Sequence, residues 1–98
     1  MDRQSIIAIL QKHEAELHRQ GVLHAALFGS AARGTAAPGS DIDIMIDLDP
    51  DARLGVFDYV GLKDYIAGLF DAPVDVVNRE ALKPFVKPAA LSDAVYAF

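Results

Sequence analysis

Residues 41–48 read Asp-Ile-Asp-Ile-Met-Ile-Asp-Leu, and this near-strict alternation constrains the fold more than any other stretch. A period of two belongs to a strand, because successive side chains leave opposite faces of the backbone. Ile42, Ile44, Ile46 and Leu48 are expected on one face, toward a core, with Asp41, Asp43, Met45 and Asp47 on the other. A half-buried strand needs partner strands and a covering layer, and the rest of the chain supplies both. Residues 3–20 carry Ile6, Ile7, Leu10 and Leu17 at helical spacing, with Asp2 placed to cap the start and Gly21 to end it. Residues 22–28 form a short apolar run suited to a buried strand, followed by Gly29 and a loop through Pro38 and Gly39.

After a turn at Asp49-Pro50-Asp51, residues 56–70 predict a helix with Leu62, Tyr65, Ile66 and Leu69 inward. Residues 73–77 predict a third strand, and the tail from Glu80, with Pro84 and Pro88, a short helix and a final apolar turn or strand. The order helix, strand, strand, helix, strand predicts an α/β (α+β) fold: a small mixed sheet flanked by helices, one domain over residues 1–98.

Composition narrows the function classes. The formal charge is −5, with 14 carboxylates against 9 Lys and Arg, so stable binding of nucleic acid through a broad basic surface is not expected. A nucleotide ligand is still compatible, because a metal ion can invert the electrostatics of an acidic site. Cysteine is absent, which removes disulfides, thiolate zinc sites and a cysteine nucleophile. No apolar run approaches the roughly 20 residues that span a bilayer. Met1-Asp2-Arg3-Gln4 leads into an amphipathic helix rather than a leader-like apolar block, so a cytoplasmic protein is expected. A hydrophobic fraction of 52% is high for so short a chain and predicts a full core, and with it a surface that another subunit could cover.

The chemistry concentrates in two places. Asp41 and Asp43 leave the same strand face with Cα atoms ~6.6 Å apart. Such a pair is either a solvated strand face or a set of hard oxygen ligands for a divalent cation. Upstream, Phe28-Gly29-Ser30 ends a strand and opens a short helical turn. Glycine there lets backbone approach a ligand closely, and helix-start N–H groups with the Ser30 hydroxyl suit phosphate oxygens. Arg33 adds a fork of donors for the same anion. An anion cradle and a cation cradle side by side are what a metal-bound triphosphate requires.

Gly29-Ser30, ten intervening residues and Asp41-Ile42-Asp43 resemble the G-S-x10-D-x-D signature of polymerase-β-like nucleotidyltransferases. The fuller strings Leu27-Phe28-Gly29-Ser30-Ala31-Ala32-Arg33-Gly34 and Ser40-Asp41-Ile42-Asp43 are similar to the minimal branch, often found beside HEPN-domain proteins in toxin–antitoxin pairs. The resemblance covers residues 23–77. It implies a third acidic residue on a later strand, and Asp75 in Val74-Asp75-Val76-Val77 matches it.

What the resemblance implies is a metal-dependent enzyme that moves a nucleoside monophosphate, AMP from ATP, onto an acceptor hydroxyl. Asp41, Asp43 and Asp75 would be catalytic and would hold Mg²⁺ or Mn²⁺; Gly29, Ser30 and Arg33 would bind the nucleotide. The acceptor would be a partner protein such as a HEPN-type toxin, making this chain an antitoxin. The alternative is a non-catalytic antitoxin or nucleotide sensor that acts by complex formation, as an oligomer or otherwise. Lower-ranked residues are read structurally: Asp47 as a solvated strand-end charge, His13, His18 and His24 as surface or structural groups, and Tyr59, Tyr65 and Tyr96 as core or interface residues. The apolar tail either completes the core or forms a partner-binding edge.

Overall fold

In the computed structural model, which describes residues 2–35 and 41–98, the alternating segment lies at the second position of a four-stranded sheet. Strand β1 (Val22–Phe28) runs antiparallel to β2 (Ile42–Leu48), and β3 (Val74–Asn78) lies parallel to β2 on its far side. A two-residue strand, β4 (Val95–Tyr96), pairs antiparallel with β1 and gives the order β3-β2-β1-β4. Parallel neighbours cannot be joined by a tight hairpin. The link between β2 and β3 accordingly contains a helix, α4 (Val56–Ala67), three residues shorter than expected.

The N-terminal helix is two helices. α1 (Arg3–Lys12) opens on Asp2, whose carboxylate accepts from the Ser5 N–H at 2.7 Å, as the sequence predicts. At His13 the backbone leaves helical geometry, its N–H shared between the Ile9 and Leu10 carbonyls, and α2 (Glu14–Arg19) follows. No proline or glycine marks this break. It coincides with a long-range contact, His13 Nδ1 to Tyr65 Oη at 3.1 Å, which periodicity cannot reveal. Gly21, at φ +97°, turns the chain into β1 beside Ala52; a Cβ there would stand 2.9 Å from the Ala52 Cβ.

The helix-side core holds Ile6, Leu10, Leu17, Ala25, Leu27, Ile42, Ile44, Ile46, Leu62 and Ile66, so the aliphatic half of the β2 alternation faces as predicted. The other half needs two corrections. Met45, expected at the solvent-facing side, is 2% exposed. It pairs with Ala26 on β1 and Val77 on β3, and the burial of Ala26 and Ala90 as well shows that the centre of this face is covered. The 3₁₀ turn Arg79–Ala81 packs back on β2, and α5 (Lys87–Asp93) packs on β1. Asp47 is not a solvated strand-end charge; it is largely buried and faces Arg79 Nη1 at 3.7 Å.

The tail divides between its two expected roles. Ala90 and Ala97 are buried and Val95 and Phe98 pack on the core, whereas Phe85 is 79% exposed. A second exposed apolar group lies at the start of α4, where Phe57 is 91% exposed beside Val56 and Val60. No helix of the described residues is long and apolar enough to cross a membrane. The loop expected through Pro38 and Gly39, with Ser40, lies outside the described residues.

Candidate active site

The site is assembled where β1 ends. Phe28 is fully extended, and the next residue, Gly29, takes φ +71° and opens the five-residue helix α3 (Gly29–Arg33). Phe28 pairs with Asp43 across the antiparallel ladder, so the turn that follows it is carried over the Asp43 side chain. The fit is tight: a Cβ on Gly29 would lie 2.5 Å from Asp43 Oδ2. Glycine is therefore needed twice, for the left-handed backbone and for the space the carboxylate occupies. Sequence reasoning placed Gly29 against a ligand; the structure shows that it also makes room for Asp43.

Asp43 and Asp75 are register partners on the parallel strands β2 and β3. Neighbouring strands lie ~4.8 Å apart, so these carboxylates share one face at adjacent positions. Asp41 is exposed just before β2, where the Ile42 N–H bonds the Pro73 carbonyl at 2.8 Å and ties the two strand starts together. Burial pushes the Asp43 carboxyl above the usual range; the charges of Asp75 and then Asp41 push in the same direction, and Arg33 opposes them. Two carboxylates and one arginine thus act on the Asp43 carboxyl.

Among the described residues, no three His, Cys, Asp or Glu side chains close around a point that a metal ion could fill. The chemistry of the donor set still fits a divalent cation. Asp41, Asp43 and Asp75 offer only hard oxygens, Asp43 is strained by like charge, and Mg²⁺ binds through one or two carboxylates with phosphates and water completing its shell.

Ser30 lies half-buried in the first turn of α3, and its carbonyl accepts the Thr35 N–H at 3.0 Å, closing the helix. Arg33 stands at the far end of α3, paired through Nη1 with Asp93 Oδ2 of α5 at 2.5 Å. Two participants escaped sequence reasoning. Asp93 lies 60 residues from Arg33, beyond the reach of any local pattern. Burial raises the pKa of the Tyr59 phenol on α4, a hydrogen bond with the Asn78 backbone opposes it, and the charge of Asp75 adds a smaller push upward. An apolar tyrosine position on a helix gives no sign of this.

Residues 10–97 match the family described as nucleotidyltransferase domain. The chain belongs to that family. Within it, this nucleotidyltransferase is 34% identical over 94 residues to the protein adenylyltransferase MntA of Thermococcus cleftensis, covering 95% of this chain and 93% of the relative. The structure of a proposed minimal nucleotidyltransferase superposes with a TM-score of 0.79 at 28% identity, covering 97% of this chain and 95% of the other. The polymerase-β-like fold and minimal-branch membership expected from the motif are thereby borne out. A more distant neighbour in fold is a complex of a tri-AMPylated Shewanella oneidensis HEPN toxin with an MNT antitoxin. There the TM-score is 0.64 at 17% identity, over 94% of this chain and 71% of the other.

Proposed function

We propose that this nucleotidyltransferase transfers AMP from ATP to a hydroxyl on a partner protein, with a HEPN-type toxin as the acceptor and silencing of that toxin as the outcome. The observation that carries this reading is the seating of Gly29 on the Asp43 carboxylate, with Asp75 in register beside it. This joins the phosphate-binding turn to the acidic set. The T. cleftensis relative, named as a protein adenylyltransferase, supports AMP as the group moved, and the AMPylated HEPN toxin supports the acceptor class.

In this reading Gly29 and Ser30 hold the β- and γ-phosphates by backbone N–H groups and the Ser30 hydroxyl, and Arg33 adds charged donors. Asp41, Asp43 and Asp75 hold Mg²⁺ or Mn²⁺. When bound, such an ion supplies charge neutralisation and orientation of the triphosphate. The acceptor oxygen forms a bond to the α-phosphorus as the bond to the departing pyrophosphate breaks. Asp75, exposed at the strand edge of the set, takes the acceptor's proton.

A second reading, an antitoxin that works by covering its partner, draws on the exposed Val56, Phe57 and Phe85. Docking and transfer are compatible, and one assay separates them. Protein, Mg²⁺ and α-phosphate-labelled ATP are incubated with a lysate of the source cells, with Asp43→Ala as control. Label on one macromolecule with the wild type alone is expected and identifies the acceptor. Absence of label across other nucleotides and Mn²⁺ would leave the binding antitoxin as the function.

A further inference from the structure

The C-terminal helix reaches the site through one ion pair. Arg33 is four residues after Gly29 on α3, one helical turn on, and so lies on the same side as the glycine that faces Asp43. Its exposed guanidinium is held from α5 by Asp93, whose carboxylate is partly shielded from solvent. Ala31, Ala32 and Ala90 are all buried, and their small side chains allow α3 and α5 to approach closely. On its other side α3 is fixed by Arg3, whose Nη1 donates to the Ala32 carbonyl at 2.9 Å. The short helix is thus braced by α1 and α5 rather than by its own length.

We propose that Asp93 is a positioning residue of the nucleotide site, holding the Arg33 guanidinium beside Asp43 in the orientation that meets a phosphate. The inference rests on the nucleotidyltransferase reading above. The contact with Asp93 runs through Nη1, and a guanidinium carries five donors in a rigid fork, so Arg33 grips an anion without releasing Asp93. Without the carboxylate, a long side chain at the open end of a five-residue helix samples many rotamers, and binding must order it each time. Asp93 contributes by removing that disorder beforehand.

The test is equilibrium titration of the full chain with a fluorescent ATP analogue in Mg²⁺, paired with thermal melts. Asp93→Asn, equal in shape but uncharged, is expected to weaken binding about fivefold, the size of a direct charged coupling. Asp93→Glu is expected to restore most of the affinity. In an Arg33→Ala background, Asp93→Asn should shift affinity by less than about twofold, since no guanidinium remains to be oriented. Undiminished binding by Asp93→Asn, or an equal loss in both backgrounds, overturns the proposal. Failure of the wild type to bind the analogue overturns the functional reading and this inference with it. That result is distinct from a wild type that binds and an Asp93→Asn that binds equally well.

Discussion

The two faces of β2 are built from neighbouring residues and obey opposite rules. On the helix side, Ile42, Ile44 and Ile46 are buried in a cluster of many interchangeable aliphatic groups, each gaining stability by leaving water. On the other side, Asp43 is partly buried among Asp75, Asp41 and the Gly29 turn, and its raised pKa means that keeping it ionised costs stability. The helix side holds the fold together, whereas on the other side Met45 is buried too and only the Asp43 end works against the fold. A slip of one residue in register would exchange the two sets, which is why the alternation specifies the strand so strongly.

The sharpest way to break this contrast is to truncate adjacent residues on opposite faces. Asp43→Ala is expected to lower transfer by at least about a hundredfold, the scale for losing an electrostatic group at a reacting centre. Its melting temperature should equal or exceed the wild type's. Ile44→Ala, next along the chain and fully buried, is expected to cost about 2–5 kcal/mol and to lower the melting temperature by ~10 °C or more. Scanning calorimetry alongside the labelled-ATP assay reads both. A destabilised Asp43→Ala protein would show that the acidic face carries structure after all.

Gly29→Ala probes the seam between the faces and should damage both properties. The methyl group would meet Asp43 Oδ2 at 2.5 Å, and φ +71° disfavours any side chain. The backbone strain alone is worth about 1–2 kcal/mol. Relief requires the Asp43 carboxylate to move, so transfer should fall at least about tenfold with a stability loss near that figure. The double variant Gly29→Ala with Asp43→Ala should recover part of the stability and none of the activity. A double variant no more stable than Gly29→Ala alone would assign the strain to the backbone only.

The same contrast explains what could be read before the structure. Ile42, Ile44 and Ile46 announced a buried face because hydrophobic burial leaves a periodic trace. Gly29, Ser30, Asp41 and Asp43 lie close in sequence and carry a motif, and Asp75 follows from the same resemblance, so the acidic residues that the structure sets beside one another could be named beforehand. What escaped was long-range and polar. The break at His13 accompanies its contact with Tyr65, and Met45 is covered by segments that return from beyond β3. Asp47 is matched by Arg79, and Arg33 by Asp93. A pairing between single charged residues dozens of positions apart has no periodicity to detect. The chain's polar wiring became visible only once the strands were in register.

Stability measured against pH sharpens the comparison further. Burial, and after it the charges of Asp75 and Asp41, hold the Asp43 pKa above the ordinary carboxylate value of 3.8. The folded state therefore holds a proton that the unfolded chain has released, and stability falls as pH rises through the raised value. Asp43→Asn should remove that fall. With divalent cations chelated, the variant's melting temperature should exceed the wild type's at neutral pH by a few degrees, and the gap should close below pH 3.8. A gap that persists in acid would tie the gain to shape rather than charge.

The smallest effect belongs to the helix side and separates from the first by its pH window. His18 lies in the last turn of α2 with Nδ1 2.8 Å from the Val22 carbonyl and Nε2 2.9 Å from Glu14 Oε2, its ring edge-on to Phe98. Both nitrogens face acceptors, so the doubly protonated ring is favoured and its pKa is raised above 6.5, the Val22 contact contributing most and Glu14 next. This stabilisation is fully present below pH 6.5 and is lost as pH rises through the folded value, because the neutral ring turns a lone pair toward one acceptor. His18→Gln should therefore be less stable than the wild type at pH 5.5 and nearly equal to it at pH 8.5 in urea titrations. The contact is solvent-exposed, so the difference will be modest. If Asp43→Asn flattens only the acid limb and His18→Gln only the limb around neutrality, the two faces titrate independently. A His18 variant that also shifted the acid limb would mean that α2 and the carboxylate face are coupled through β1, the strand that joins them.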